Sequence, residues 1–596
     1  MRPYEHLPLP MPKDYDPGPE FFYENFMKPF IPDMIQMMDT GLTIDNDAVE
    51  DLRVTVSNVL DSVAERLEKN PIVKLLQEKK LPYDQKKHAE ECTKSVRTVD
   101  HYLKEYKETD MVHRTWVVNT YLKHIHKTEE IRDKWSVKDL KQLNIFLDDP
   151  FLAGIIDKRK LSNNTNVKLG MRALAEYKLE LWNRPRYEKA EQKVEQKPFN
   201  PGSHLQVKEL FEMLNIKPLA TSKDTGEASW GREQLEQLRH ETEDPDLIDL
   251  LDAMIDYSFG NIIQTNFLKA FDVFTIDDVL HGNIKLFGAK SCRNTSNSPN
   301  LLNAPSTGSI YAKPLKRCFI APDGFVVYTA DLSALEDRVI ANLSGDVNKC
   351  NVFLEGLDGH SLNACGYFKN EIEELLGMDY SEGVSFVKAF MGKVNEEVKR
   401  FIELRQLSKA PTFKLAYGGY PDYDKGGVIT QELFDNYHNI LYPGITDYRE
   451  NYVLPTTIDN GYIHLGLGCR LYSSDPGGDI RTLNNATVQF WSILTLIAIN
   501  EFNHRVREAG LQDDVQVIST IYDSIYVQVR EDAEILKWVN DNLIELMCVQ
   551  YLKDEIIHNE AEGEIGRNWA DLHAVKNNAS VSDIQEILNE NLLHNT

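Results

Sequence analysis

Hydrophobic positions in the second half of this chain follow the two-residue rhythm of strands. Phe325-Val-Val-Tyr-Thr-Ala330 stops at Asp331, and Asp331-Leu-Ser-Ala-Leu-Glu336-Asp-Arg338 then opens with helical spacing. Val515-Gln-Val-Ile-Ser-Thr-Ile-Tyr522-Asp523-Ser524-Ile-Tyr-Val-Gln-Val529 reads as two β-rich arms of a hairpin with Asp523 near its bend. Between them, Arg405, Lys409, Phe413 and Tyr417 recur at every fourth position. Each such step turns a helix by roughly 400°, so the four residues line one face, although Pro411 removes a helical hydrogen bond.

Upstream the pattern is mostly helical from about 21 to 275, with polar breaks at Ser162-Asn-Asn-Thr-Asn and Lys197-Pro-Phe-Asn-Pro-Gly-Ser203. Residues 1–20 are Pro-rich and read as extended, strands and helices mix after 280, and the stretch after Trp569 reads as a short helical tail. No internal repeat or low-complexity segment is present. A chain of 596 residues exceeds one compact core, so several domains are expected.

Composition, at 42% hydrophobic and 27% charged, is that of an ordinary globular protein. Seven cysteines, with no pair at metal-site spacing, fit a reduced cytosolic protein without disulfides or structural zinc. The N-terminus has no signal-peptide core, and the longest apolar stretch, Phe490 to Ile499, is too short to span a bilayer, so no membrane partner is expected.

Charge cuts against a polyanionic partner at first sight. Lys+Arg total 66 against 93 Asp+Glu, a net −27. The distribution is uneven, however. Residues 279–322 contain no acid but hold Lys285, Lys290, Arg293, Lys313, Lys316 and Arg317; residues 404–421 and 480–500 are likewise acid-free, with Arg405, Lys409, Lys414 and Arg481. An acidic body with cleared basic tracts suits a nucleic-acid cleft, while simple burial explains 490–500 well and 313–317 poorly.

Asp331 and Asp523 carry the candidate chemistry. Carboxylates on adjacent strands suit a pair of Mg²⁺ ions about 4 Å apart, with Mn²⁺ able to substitute. The two cations and two aromatics of the Arg405–Tyr417 face suit a triphosphate at one end and a base at the other. Blander readings exist for each. Ser333-Ala-Leu-Glu336 fits a capping box, Asp523 fits a turn, and Arg405–Gly418 fits an amphipathic surface helix.

Taken together, these segments resemble the motifs of family A DNA polymerases, the bacterial DNA polymerase I and phage type. Asp331 through Arg338, followed by Asn342-Leu-Ser-Gly-Asp346, resembles motif A; Arg405 through Gly418 resembles motif B; Tyr522-Asp523-Ser524 resembles motif C. Cys292-Arg293-Asn-Thr-Ser-Asn-Ser-Pro299-Asn-Leu-Leu-Asn303 is similar to the segment that contacts the primer-template minor groove. Asp358-Gly-His360, Gly461-Tyr-Ile-His-Leu-Gly-Leu-Gly-Cys-Arg470 and Asn568-Trp569 match the fingers histidine, a strand pair and the terminal strand. Met38-Asp-Thr-Gly-Leu-Thr-Ile-Asp45 and the segment from Phe199 resemble the beginning and tip of the thumb.

The resemblance implies an α+β right-hand fold with an antiparallel palm sheet and helical fingers and thumb. It divides the chain into an extended segment 1–20, a thumb-like region 21–275 with an insertion about 52–198, palm 276–357, fingers 358–450, palm 451–573 and a tail 574–596. It further implies that Asp331 and Asp523 ligate both metals and that Arg405, Lys409 and His360 hold the triphosphate, with Lys409 a proton donor to pyrophosphate. Phe413 would pack on the sugar, Tyr417 beside the template base, and Glu336 against a 2′-hydroxyl. Arg293, Asn303, Arg481, Asn485, Gln489 and Tyr522 would contact primer-template DNA.

Departures stand out. Tyr522-Asp523-Ser524 replaces the usual His-Asp-Glu, Lys414 replaces a usual glycine, and the 52–198 insertion exceeds what bacterial enzymes use. Its Lys74, Lys79, Lys80, Lys86 and Lys87 suit a solvated face, duplex phosphates or a processivity factor. Thumb-like sequence begins near residue 22, so a 3′–5′ exonuclease is expected on a separate polypeptide or not at all. The implied function is template-directed DNA synthesis in a phage replication system, in the host cytoplasm, with dNTPs as substrates and a helicase or primase as further partners. The alternatives are a single-subunit RNA polymerase, which has a similar palm, and a catalytically silent replisome subunit.

Overall fold

The computed structural model describes residues 9–94, 96, 183–194, 198–218, 220–221, 228–305, 309–416 and 430–589. Its central strand is β1 (Phe325–Leu332), where Val326, Val327, Tyr328 and Ala330 are fully buried and Asp331 is the exposed exception. A strand buried on both faces must sit inside a sheet. Two further strands, β2 (Tyr462–Gly466) and β3 (Cys469–Tyr472), form a separate hairpin. Four more strands used below are β4 (Val515–Ile521), β5 (Ser524–Arg530), β6 (Ala561–Gly566) and β7 (Leu572–Val575). Together with β1 they form a five-stranded antiparallel sheet in the order β4-β5-β1-β6-β7.

Register decides which residues share a face. Ser524 and Glu562 both pair with Asp331, so the three lie in one row on one face. Ile525, Ala330 and Gly563 form the next row on the opposite face. That face belongs to a large core that also takes in α1 (Lys28–Thr40), α2 (Leu335–Ser344), α6 (Pro476–Gln489), α7 (Ile493–Ala509) and α8 (Ala533–Met547). A second core, with Val327, Phe319 and Trp569, backs the site-bearing face, and Phe319 stacks on Trp569 at 4.4 Å. Three shorter helices complete the set used below: α3 (Gly359–Tyr367), α4 (Lys399–Leu407) and α5 (Lys409–Ala416).

The chain divides into two compact units, residues 1–61 with 258–596, and residues 62–257. This boundary differs from the sequence grouping of 21–275 as one thumb-like region. Phe22, Phe26, Phe30, Met34 and Met37 join the core that holds the sheet. A 3.6-residue period says that a helix buries one face, not which body it buries it against. Asn568-Trp569 also differs from its expected place in a terminal strand, since it lies in the connection between β6 and β7. The smaller unit is held by Arg66 on Asp249 and Asp256, at 3.0 and 2.9 Å, and by Phe211 stacked on Trp230 at 4.0 Å. In its helix Pro71–Thr93, Lys74, Lys79, Lys86 and Lys87 are exposed, while Lys80 pairs with Glu209. Most of the 52–198 insertion falls in 97–182, outside the described residues. No helix among the described residues is long and apolar enough to cross a membrane.

Gly563 is required by close packing. A Cβ there would fall 2.8 Å from Asn540 Oδ1 and closer still to Tyr328 Oη, two atoms joined by a buried hydrogen bond of 2.8 Å. Gly563→Ala should therefore cost about 2 kcal/mol through overpacking and loss of that bond. A denaturant midpoint equal to wild type would contradict this packing.

Candidate active site

The β4–β5 hairpin turns over only two residues, Tyr522 and Asp523, with Tyr522 at φ 53°. A left-handed tyrosine is strained, and its hydroxyl donates to the Leu302 carbonyl at 2.9 Å, which holds it there. The turn delivers Asp523 beside Asp331. The Leu332 N–H donates to the Asp523 carbonyl at 3.3 Å, and Ser524 Oγ donates to Asp331 Oδ1. Ser524 thus restrains Asp331 without adding a negative charge.

The two aspartates differ in environment. Asp331 is exposed at the sheet end. Asp523 is largely buried, and its carboxyl is pushed up to about 6, first by burial and further by Glu336 and Asp331, with Arg293 opposing. Asp523 Oδ1 is buried with no hydrogen-bond donor among the described residues. A buried, uncompensated carboxylate oxygen next to a second carboxylate fits a hard divalent cation. Among the described residues no three acidic, His or Cys side chains converge as a ready metal cage.

Glu336 does not cap a helix. α2 begins at Leu335 behind Ala334, which is left-handed at φ 52° and makes no side-chain cap. Ser333 instead spends its backbone N–H on Glu560 and its carbonyl on Arg338, both at 2.8 Å. Glu336, freed from the capping box that its spacing suggested, forms an ion pair with Arg293. The Arg293 guanidinium also lies 5.8 Å from the Tyr522 ring centroid.

On the helical side, Asp358 caps α3 by accepting from the Ser361 N–H at 2.8 Å and binds Arg405 through two bonds of 2.7 and 2.9 Å. Burial alone would raise its carboxyl; Arg405 and Ser361 outweigh that and hold it down at about 2. His360, the next residue but one, is lowered chiefly by burial. The expected single helical face from Arg405 to Tyr417 is interrupted. α4 ends at Leu407, α5 starts at Lys409, and Ser408 between them donates to the His360 carbonyl at 2.9 Å. Pro411 explains the break, because its missing N–H is tolerated in the first turn of a new helix and not inside a continuous one. Arg405 and Lys409 therefore belong to different helices. Phe413 is placed only by its backbone in α5, and Tyr417 lies outside the described residues.

Between these groups opens a cleft of about 530 Å³. Glu336, Asp523, His360, Asn485 and Gln489 line it; Arg405, Lys409, Arg481 and Asn303 are not among its described lining residues. Arg481 and Asn303 are exposed, in α6 and at the end of the turn Leu301–Asn303. Two polar lining residues stand out among those with no sequence signal. Lys349 reaches Asp337 at 2.6 Å and lies 5.1 Å from the Tyr442 ring, and Asn484 presents a buried Oδ1 with no partner among the described residues. The basic tract is partly neutralised, since Lys313 and Arg317 pair with Asp571 at 2.9 and 3.2 Å, while Lys285 and Lys290 are exposed.

The Asp358–Arg405 pair yields a pH prediction. A depressed carboxylate contributes stability that is full above its ordinary value near 4 and lost as pH falls through about 2. Asparagine caps helices as well as aspartate does, so Asp358→Asn isolates the ion pair. With the side chain 32% exposed, the loss at pH 7 should be about 1–2 kcal/mol and shrink toward zero between pH 4 and 2. Thermal midpoints of both proteins across that range would check this; a constant difference would refute it.

Comparison with known proteins places this geometry. Residues 172–379 match the family model described as DNA polymerase family A. The thermostable DNA polymerase I of Thermus filiformis is 24% identical over 385 residues, 62% of this chain and 42% of that protein. The DNA polymerase I of Pseudomonas aeruginosa is 26% identical over 302 residues, 48% of this chain and 29% of its own length. The DNA polymerase of Escherichia phage T5 is 26% identical over 366 residues, 56% of this chain and 40% of that protein. The chain thus spans less than half the length of these curated relatives. The fold is similar to the POL domain of Pol1 from M. smegmatis, solved in complex with DNA primer-template and dNTP, with a TM-score of 0.50 at 21% identity over 73% of this chain and 79% of that one. In sequence over residues 172–379 and in fold, this chain is similar to members of DNA polymerase family A.

Proposed function

We propose that this chain adds deoxynucleotides to a primer 3′ end under the direction of a template, as part of DNA replication of the phage type. The observation that carries the reading is the pairing of β1 with β5, which sets Ser524 against Asp331 and leaves Asp523 beside them with an unsatisfied buried oxygen. Asp331 and Asp523 are the residues to hold two Mg²⁺ ions, which when bound supply activation of the primer hydroxyl and neutralise charge on departing pyrophosphate. Ser524 orients Asp331 for that role through its hydrogen bond.

In the same reading Arg405, His360 and Lys409 take the triphosphate. Arg405 would exchange its two bonds to Asp358 for phosphate oxygens, a bidentate acceptor of the same geometry. Lys409 would give a proton to pyrophosphate. Glu336, on the wall of the cleft and held by Arg293, would crowd a 2′-hydroxyl. Phe413 would pack on the sugar and Tyr417 beside the template base. Gln489, Asn485, Arg293, Asn303, Arg481 and Tyr522 would touch primer-template DNA, the first two from the cleft wall on α6. The 276–357 and 451–573 segments serve as palm and 358–450 as fingers. A processivity factor, an exonuclease, a helicase and a primase are the partner classes that such an activity would meet in the cytoplasm.

Asp331→Asn and Asp523→Asn should each lower primer extension by several orders of magnitude while leaving primer-template binding largely intact. Extension within about tenfold of wild type for either variant would sink the assignment. Running the same assay with NTPs tests the RNA-polymerase alternative, which requires efficient extension with them.

Glu336→Ala should lower discrimination against ribonucleotides by about tenfold or more, read as the ratio of kcat/KM for dNTP over rNTP. An unchanged ratio would mean that Glu336 serves only to hold Arg293.

A further inference from the structure

Seven thiols are free in this chain, and among the described residues only one pair of them is in contact. Cys292 Sγ lies 2.8 Å from Cys469 Sγ across 177 positions of sequence. Neither sits inside a helix. Cys292 is left-handed at φ 60° in a turn where its N–H donates to the Ala289 carbonyl at 3.0 Å and the Ala289 N–H donates to the Arg293 carbonyl at 3.1 Å. Cys469 opens β3 directly after Gly468, at a register shift in the β2–β3 hairpin. Turn and bulge positions let each sulfur move the under ~0.5 Å needed to close to the ~2.05 Å of a disulfide.

We infer that Cys292 and Cys469 form a reversible disulfide site, closed by exchange with a low-molecular-weight disulfide such as glutathione disulfide. Cys292 is the entry point, because it is partly exposed while Cys469 is 6% exposed. The contact also lowers the Cys292 thiol and raises that of Cys469. The Cys292 thiolate attacks one glutathione sulfur, forming a mixed disulfide and expelling one glutathione thiolate. Cys469 then loses its proton, attacks Cys292 Sγ and expels the second glutathione. Two protein thiols are oxidised, one glutathione disulfide is reduced to two thiols, and the two cysteine protons pass to them.

Three of the other thiols compete poorly. Cys318, Cys350 and Cys365 are buried, and burial raises all three thiols. The position also matters for the cleft. Cys292 precedes Arg293, whose guanidinium holds Glu336, so the bond would restrain the backbone that aims this arginine.

The full chain, treated with glutathione disulfide, alkylated and mapped by peptide mass spectrometry, should lose two of its seven free thiols and yield a cross-linked peptide joining Cys292 to Cys469. Its thermal midpoint should rise by a few degrees, as closing so long a loop restricts the unfolded chain, and dithiothreitol should reverse both effects. Cys469→Ser should instead retain glutathione on Cys292 and gain no stability, with Cys469→Ala as a second variant if the serine protein fails to fold. A cross-link to any other cysteine, seven thiols left free after treatment, or the same stability gain in the Cys469 variants would each overturn the site.

Discussion

The antiparallel register between β1 and β5 is the constraint on which everything else depends. It sets Ser524 opposite Asp331, and a two-residue turn then leaves Asp523 nowhere to go but beside them. Side chains alternate faces, so a slip of one residue would send Asp331 into the apolar core and bring Ala330 to the cleft. The core forbids that slip. Val326, Tyr328 and Ala330 on one face and Val327 on the other are fully buried in two different cores, and each face has its own partners to lose.

Negative charge gathered at that point needs management. Asp331, Asp523 and Glu336 approach one another, and the protein answers with one guanidinium, Arg293, on Glu336 and with a hydroxyl, Ser524, on Asp331. Asp523 Oδ1 receives no donor among the described residues, and burial raises the carboxyl's affinity for a proton. Across the cleft the same economy appears in Arg405, whose fork is occupied by Asp358. In a chain of net charge −27, the guanidiniums of Arg293 and Arg405 are both held by local acids.

Much of the fold and part of the site were legible in the residues. The alternating run into Asp331, the hairpin around Asp523 and the cleared basic tracts are local patterns, and local patterns survive without tertiary context. Other readings failed where a pattern had two physical meanings. Ser333-x-x-Glu336 has capping-box spacing, yet the helix starts one residue later and Glu336 turns to Arg293. A four-residue period from Arg405 to Tyr417 reads as one helix, yet Pro411 ends it at Ser408. Lys313 and Arg317 read as free cations until Asp571, more than 250 positions away, meets them.

By itself the sequence determined which segments become strands and helices, where the carboxylates fall along them, and the resemblance to a polymerase family, because periodicity and short motifs are properties of neighbouring residues. Tertiary structure alone decided which groups are neutralised and which stay available. It brought Lys349 and Asn484 into the cleft, assigned the helix at Lys28–Thr40 to the core around the sheet, and set Cys292 against Cys469. The physical reason is that pairing energies and burial depend on distance in space, and residues separated by tens to hundreds of positions acquire that distance only when the chain has folded.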